Sequence, residues 1–254
     1  MKAILHILEH DFKRFTRYRW WVAGLIAMNL ADLFVMAVVY TRMVKTDVMP
    51  YNYFEFFAPG ITITALFAAA FMIGREINME VRRSISHYML SLPMTRFELA
   101  VGRMLAGGLR GMVYMSSLLL INFVFLGFPT IVQLFVILGA LFLISTGTSG
   151  LSIAMAVSTK SFEKFVTMRG FLYYMLFFCS TVFYPLSLIE SILPRPLVLF
   201  AQFNPLSCGA DLIRGYLIPR YPPITSDLAQ NLVIFSLIFT LVGALAYIRI
   251  IEGE

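Results

Sequence analysis

The residues of this chain that could take part in chemistry are polar groups set within long apolar runs. Asp32 lies near the middle of one such run, Asn29 precedes it by about one helical turn, and Asn122 lies in another run. A carboxylate at the centre of a bilayer costs roughly 2.5–3.5 kcal/mol on insertion scales, so it marks a transport pathway or an ion pair with a neighbouring helix. Asn29, Asp32 and Asn122 are therefore predicted pathway residues, and for Asp32 both interpretations remain open.

No motif of a catalytic or metal-binding site accompanies these groups. No glycine is followed by lysine, which excludes a phosphate-binding loop of the Walker type. His6, His10 and His87 do not have the spacing of metal ligands, and Ser152 lacks a nucleophile-elbow pattern. We therefore predict a protein that is not an enzyme and binds no cofactor directly. The energy for any work must then come from a partner or from an ion gradient.

One stretch, residues 75–111, concentrates charge in a chain that is otherwise apolar. Its charged residues are Arg75, Glu76, Glu80, Arg82, Arg83, Arg96, Glu98, Arg103 and Arg110. So many charges are too costly to place in hydrocarbon. The stretch is therefore predicted to be a cytosolic loop flanked by membrane helices, where it can contact a soluble partner.

Within this stretch, residues 76–92 have the pattern of a short amphipathic helix. Apolar residues recur at helical spacing, Pro93 ends the pattern, and Thr95 with Glu98 fits a capping box that begins the next helix. A short helix parallel to the membrane and fixed between two spans is suited to transmit force from a partner. The alternative interpretation is an ordinary solvated loop.

The composition identifies the class of protein to which these elements belong. The chain has 254 residues, of which 59% are hydrophobic and 13% charged, and its mean hydropathy is +0.82. Soluble domains are roughly 45–50% apolar and about 25% charged, so this is an integral membrane protein. The net charge of +6 lies mostly in clusters that flank apolar runs, which indicates membrane orientation rather than nucleic-acid binding.

The apolar runs predict an all-α membrane protein with six transmembrane helices in a single domain. An amphipathic interface helix over residues 1–19 precedes the spans, and a proline-rich region over 187–227 is predicted to form short re-entrant helices on the extracellular side. The excess of Lys and Arg on the side of the N-terminus places both termini in the cytosol of a cell-membrane protein. The predicted spans are residues 20–41, 56–74, 98–127, 130–157, 166–186 and 228–248.

Small and hydroxyl-bearing residues are concentrated in the fourth predicted span. Ser145, Ser149 and Ser152 alternate there with Gly147 and Gly150. Small residues let membrane helices approach closely, and hydroxyl groups can hydrogen-bond across the contact. We favour helix packing over a substrate pathway for this group.

Several sequence features, in this order, resemble the membrane subunit of type-2 ABC exporters. The segment FFAPG opens the second span, the charged stretch ends in LSLPMTRFELAVGRML, and the region before the last span reads FYPLSLIESILPRPLVLFAQFNPLSCGADLIRGYLI. The last segment is the most specific, because it combines an aromatic–proline pair, a later proline, Asn-Pro-Leu, and an acidic residue followed by arginine. The resemblance covers nearly the whole chain.

This resemblance implies a transport cycle driven by a separate ATPase. Two permease copies, identical or paralogous, would pair with two cytosolic ATPase subunits that hold ATP and magnesium, and the cargo would be an amphipathic drug or lipid leaving the cytosol. Residues 76–92 would be the coupling helix, and 187–227 the extracellular gate. The residues implied in coupling are Glu76, Glu80, Arg82, Arg83, Tyr88 and Pro93, and those implied in the gate are Pro185, Pro194, Asn204, Pro205, Asp211 and Arg214.

Two other functions compete with this one. A gradient-driven secondary transporter would use Asp32, but such proteins carry several ionisable groups in the membrane and often an inverted repeat, neither of which the sequence contains. An ABC exporter of polysaccharide is the second alternative, and the sequence does not decide between cargoes.

Overall fold

The computed structural model describes residues 2–17, 19–43, 52–83, 95–159 and 161–253, and within these ranges the chain is helical with no strand. This agrees with the predicted all-α class. The ten helices of these ranges are α1 (Lys2–Arg17), α2 (Arg19–Met43), α3 (Tyr53–Arg82), α4 (Arg96–Leu126), α5 (Ile131–Ser158), α6 (Phe162–Phe178), α7 (Leu186–Ile192), α8 (Arg195–Phe203), α9 (Pro205–Leu217) and α10 (Ser226–Gly253).

Four of the described helices, α3, α4, α5 and α10, are long and apolar enough to cross a membrane. Helices α2 and α6 occupy the places of the first and fifth predicted spans, and the count of six spans stays a prediction. Helix α6 ends at Phe178, well before the predicted end of that span at residue 186. Beyond this point the Thr181 backbone N–H donates to Ser207 Oγ of α9 at 2.9 Å instead of continuing the helical ladder.

Helix α3 forms the centre of the bundle. It lies against α4 and α5 along its length and also contacts α2, α6 and α9. Its residues are apolar on all sides, which is the pattern of a helix surrounded by protein. Phe56, Phe57, Phe67 and Phe71 are all fully or almost fully buried. The side chains of α3 thereby hold the other helices at fixed distances.

Helix α5 packs against its neighbours through small residues and hydroxyl groups. Ser145 Oγ donates to Gly108 O of α4 at 2.8 Å, and Ser152 Oγ donates to Phe71 O of α3 at 2.5 Å. A side chain at Gly74 of α3 would collide with Ser152. The serines of this span therefore serve helix packing, as the sequence indicated.

The end of α3 differs from the prediction. The sequence predicts that the second span ends at Gly74 and that a separate helix begins at Glu76, but α3 continues without a break to Arg82. The prediction took the first charge as the membrane boundary, whereas Glu76 and Glu80 form ion pairs inside the bundle. Residues 84–94, which hold the rest of the predicted coupling helix, lie outside the described residues.

Three short helices, α7, α8 and α9, occupy the region between α6 and α10. Pro185 and Pro194 stand at the N-caps of α7 and α8, and Asn204 caps α9 by accepting from Leu206 N at 3.0 Å. Most residues of α9 are buried against α3, α5 and α10. The placement of these helices on the extracellular side stays a prediction.

Candidate functional site

A buried ion cluster joins α1, α3 and α4. Arg103 of α4 donates to both carboxylate oxygens of Asp11 on α1, at 3.1 and 3.2 Å, and to Glu80 of α3 at 2.8 Å. The three residues are 2–8% exposed. Burial of charge is tolerated when each group is paired and hydrogen-bonded, and here one guanidinium satisfies two carboxylates.

A second ion pair continues this cluster along the same two helices. Arg110 donates through both terminal nitrogens to Glu76, at 2.6 and 3.1 Å. Glu76 lies one turn before Glu80 on α3, and Arg110 lies two turns after Arg103 on α4. The two pairs thus stack along the contact and fix the register of α3 against α4.

The residues predicted for ATPase coupling fall into three groups: buried and paired, exposed, and outside the described residues. The carboxylates of Glu76 and Glu80 point to α4, so they position the helix end instead of forming a free surface. Arg82 and Arg83 are exposed at the end of α3 and are available to a partner. Tyr88 and Pro93 lie outside the described residues.

At the opposite end of α3, Arg214 of α9 is fully buried. It donates to the carbonyl oxygens of Phe56 at 2.9 Å, Thr181 at 2.8 Å and Val182 at 3.2 Å. Its guanidinium also lies 3.6 Å from the centroid of the Phe56 ring, which adds a cation–π contact. One side chain thereby connects α9 to the beginning of α3 and to the segment after α6.

Asp211 completes this second cluster. It accepts from Arg214 at 2.7 Å, from Thr181 Oγ1 at 3.1 Å and from the Tyr221 hydroxyl at 2.6 Å. Burial raises the pKa of Tyr221, with an opposing effect from Arg214, so the phenol stays protonated and donates. The side-chain amide of Asn204 adds two hydrogen bonds by donating to Leu176 O and Cys179 O at the end of α6.

The structure therefore brings together four of the six predicted gate residues. Asn204, Pro205, Asp211 and Arg214 all lie on or at the start of α9, and their contacts hold α9 to α3 and α6. Pro185 and Pro194 instead end the segments before α7 and α8. Tyr221 and Thr181 belong to the cluster but were missed, because their partners are distant in sequence.

A cavity of about 380 Å³ lies between α2, α3, α4 and α6. Its polar wall includes Asn29, Tyr114, Arg169 and Tyr173, and the remaining lining is mostly apolar. Asn29 is the predicted pathway residue that the structure places in this wall. The backbone of Asp32 belongs to α2, and its side chain lies outside the described part of the structure.

Asn122 does not line this cavity. It is fully buried and donates to Thr62 Oγ1 at 2.6 Å and to Leu118 O at 3.0 Å. These bonds join α4 to α3 inside the protein, so Asn122 serves packing.

Arg169 is the functional candidate that the sequence analysis missed. It lies near the beginning of the predicted fifth span, residues 166–186, and was not singled out there; α6 begins at Phe162, which places Arg169 two turns inside the helix. Ser161 is the signal that was overlooked, since its side chain accepts from Lys164 N at 3.2 Å and caps the helix there.

Comparison with known families identifies the chain. The model of the ABC-2 type transporter family matches residues 3–218, which include α2 to α9 and all of α1 except its first residue. A comparison with curated proteins found no match. Members of this family are membrane transport components that work with an ABC ATPase subunit. The match covers most of the chain, and the apolar helices suit a multi-pass membrane protein. The chain therefore belongs to the ABC-2 type transporter family and is an ABC transporter permease.

Proposed function

We propose that this protein is the permease of an ATP-driven exporter that moves an amphipathic substrate, such as a drug or lipid, out of the cytosol. Two permease copies, identical or paralogous, work with two ATPase subunits, which hold ATP and magnesium. The observation that carries the proposal is the ion cluster of Asp11, Glu80 and Arg103 with the neighbouring Glu76–Arg110 pair. It supports a rigid connection between α1, the charged end of α3, and α4.

A rigid connection is what force transmission from an ATPase requires. The exposed Arg82 and Arg83 stand at the end of α3, and residues 84–94 follow them directly. Movement imposed on this segment passes to α3 and α4 together, because breaking the buried pairs between them leaves charges without partners. Basic residues at this surface suit an acidic groove on the ATPase.

The exposed apolar surface of α6 supports pairing of two permeases. Phe171, Tyr174 and Phe178 are each more than half exposed on one side of this helix. Residues of α6 and α2 also line the cavity. In our proposal, the substrate therefore passes near the place where two copies meet. Movement at the far end of α3 reaches the cluster of Arg214 and Asp211, which in our proposal gates the outer side.

Co-purification tests the proposal. We expect the permease, solubilised from its native membranes in mild detergent, to bring down an ATP-binding subunit with vanadate-sensitive ATPase activity. Combined replacement of Arg82, Arg83 and Tyr88 by alanine abolishes the association, while Arg220→Ala, an exposed arginine after α9, leaves it intact.

Two results would contradict the proposal. If the permease purifies alone and no ATPase activity follows it, an ATP-driven mechanism is wrong, and a gradient-driven transporter using Asp32 becomes the favoured function. If the ATPase associates equally with the triple variant, the coupling surface lies elsewhere. Transport assays with labelled lipid and polysaccharide then separate the two cargo classes.

A further inference from the structure

We propose that the cavity between α2, α3, α4 and α6 binds a lipid with a phosphate headgroup, and that Arg169 recognises the phosphate. The inference rests on the proposed function, since it names the substrate class of that transport pathway. It goes beyond the expected amphipathic cargo by requiring a negative charge.

Arg169 differs from the arginines of the two clusters in having no hydrogen-bond or ion-pair partner in the described part of the chain. Arg103, Arg110 and Arg214 each donate to a carboxylate. Arg169 is only partly exposed, yet among the residues that the structure describes it makes no hydrogen bond or ion pair. An unpaired cation two turns inside α6, the helix at the place of the fifth predicted span, is costly, and a bound anion offsets that cost.

A second arginine raises the positive potential at the same place. Arg75 lies one turn beyond Met72, a lining residue, toward the charged end of α3. Its guanidinium is 5.9 Å from the centroid of the Phe162 ring at the beginning of α6. Arg75 likewise has no carboxylate partner within the described ranges, and it is close enough to Arg169 for the two charges to repel. An anion between or beside them relieves this repulsion.

The rest of the cavity suits an acyl chain. Its volume of about 380 Å³ falls within the range of roughly 300–1,000 Å³ that is usual for ligand pockets. An arginine can bind a phosphate with two parallel hydrogen bonds, which favours a phosphate headgroup over an uncharged hydroxyl. The apolar lining residues are Met28, Ala65, Ala68, Ala69, Met72 and Val166.

Binding of matched lipids to the purified full-length permease in nonionic detergent tests this inference. The probes are phosphatidylglycerol and diacylglycerol, which lacks the phosphate, with the same fluorescent acyl chain. We expect wild-type protein to bind phosphatidylglycerol about tenfold more tightly, as one charge-assisted hydrogen-bonded pair implies. Arg169→Gln removes this preference and leaves diacylglycerol binding unchanged, whereas Arg169→Lys retains most of the preference.

Filling the cavity provides an independent variant. A Cβ atom at Gly170, a lining residue, meets no atom within 4 Å, so Gly170→Leu projects into the empty space without a clash at its Cβ. We expect it to weaken binding of both lipids. Gly139→Leu is the matched control, because Gly139 is exposed on α5 with equally open surroundings. Arg220→Gln is the control for loss of one exposed arginine.

Equal affinity for the two lipids in the wild type, or an unchanged preference in Arg169→Gln, would overturn the inference. Displacement of the lipid by an equal concentration of inorganic phosphate would also overturn it, because the site would then be one for the free anion. The binding test needs no ATPase, so its outcome is separate from that of the proposed function. If the ATPase co-purifies but the permease shows no lipid preference, only the lipid site is rejected. If the permease prefers phosphatidylglycerol but no ATPase co-purifies, only the ATP-driven mechanism is rejected.

Discussion

Buried arginines in this protein have different partners, and the partners determine their roles. Arg103 and Arg110 pair with acidic residues of other helices and fix those helices together. Arg214 donates mainly to carbonyl oxygens, one in the first turn of α3 and two in the non-helical segment after α6. Arg169 has neither kind of partner among the described residues, which leaves it for a ligand.

Replacement of Arg103 by methionine is expected to destabilise the protein by about 3–5 kcal/mol, because Asp11 and Glu80 would remain buried without their cation. The measurement is the free energy of unfolding in detergent. The double variant Arg103→Met with Asp11→Asn should recover part of the loss, since one uncompensated charge is then gone.

Lys13→Gln serves as the control for this prediction. Lys13 pairs with Glu9 on the exposed face of α1 at 2.6 Å, where solvent screens the two charges, so the loss of this pair should change the free energy of unfolding only slightly. A loss for Arg103→Met as small as that for Lys13→Gln would show that water reaches the cluster.

At the scale of the helices, contact between α5 and α10 is set by glycine. A side chain at Gly243 would come within 2.5 Å of the Gly150 backbone, and one at Gly150 would collide with the backbone at Phe239. These two helices form the most extensive helix–helix contact among the described residues. Close backbone approach here gives the dispersion contacts that drive helix association in lipid.

Gly243→Leu is therefore expected to separate α5 from α10 and to destabilise the fold by about 1–3 kcal/mol or more, the usual cost of overpacking. The thermal midpoint of the purified protein in detergent is the measurement. Gly139→Leu, on the exposed side of α5, should leave the midpoint within a degree or two of wild type. Equal midpoints for both variants would mean that the two helices do not pack closely in the membrane.

At the scale of the whole molecule, the two ends of the bundle carry different clusters. The ion cluster of α1, α3 and α4 lies at the end that bears Arg82 and Arg83, and the cluster of Arg214 and Asp211 lies at the other end of α3. The rigid α3 connects them over 30 residues, or about 45 Å at 1.5 Å per residue. This length matches a bilayer with its headgroup regions.

The orientation in the membrane is a prediction from the excess of Lys and Arg on the side of the N-terminus. We expect Arg220→Cys to react with a membrane-impermeant maleimide in sealed right-side-out vesicles, and Arg83→Cys to react only after permeabilisation. Both variants are made with Cys179 and Cys208 replaced by serine. The opposite pattern would reverse the predicted placement of both termini in the cytosol, and labelling of both sites would rule out one uniform orientation.

The sequence by itself determined the membrane class, the helical fold and the beginnings of several helices. These depend on local properties: apolar length excludes a soluble domain, and the Thr95–Glu98 capping box forms as predicted, with Glu98 N donating to Thr95 Oγ1 at 3.1 Å. The motif order over α9 also identified the family. Each of these features can be recognised along the chain, without knowing which helices meet in the fold.

Only the tertiary structure decided which charges are buried and which are available. Glu76 and Glu80 looked like surface residues because their partners lie 34 and 23 positions away in sequence. Arg169 did not stand out in the sequence because its cavity is assembled from four helices. The cost of a charge depends on its neighbours in space, so its role was decided when α3, α4 and α6 came together.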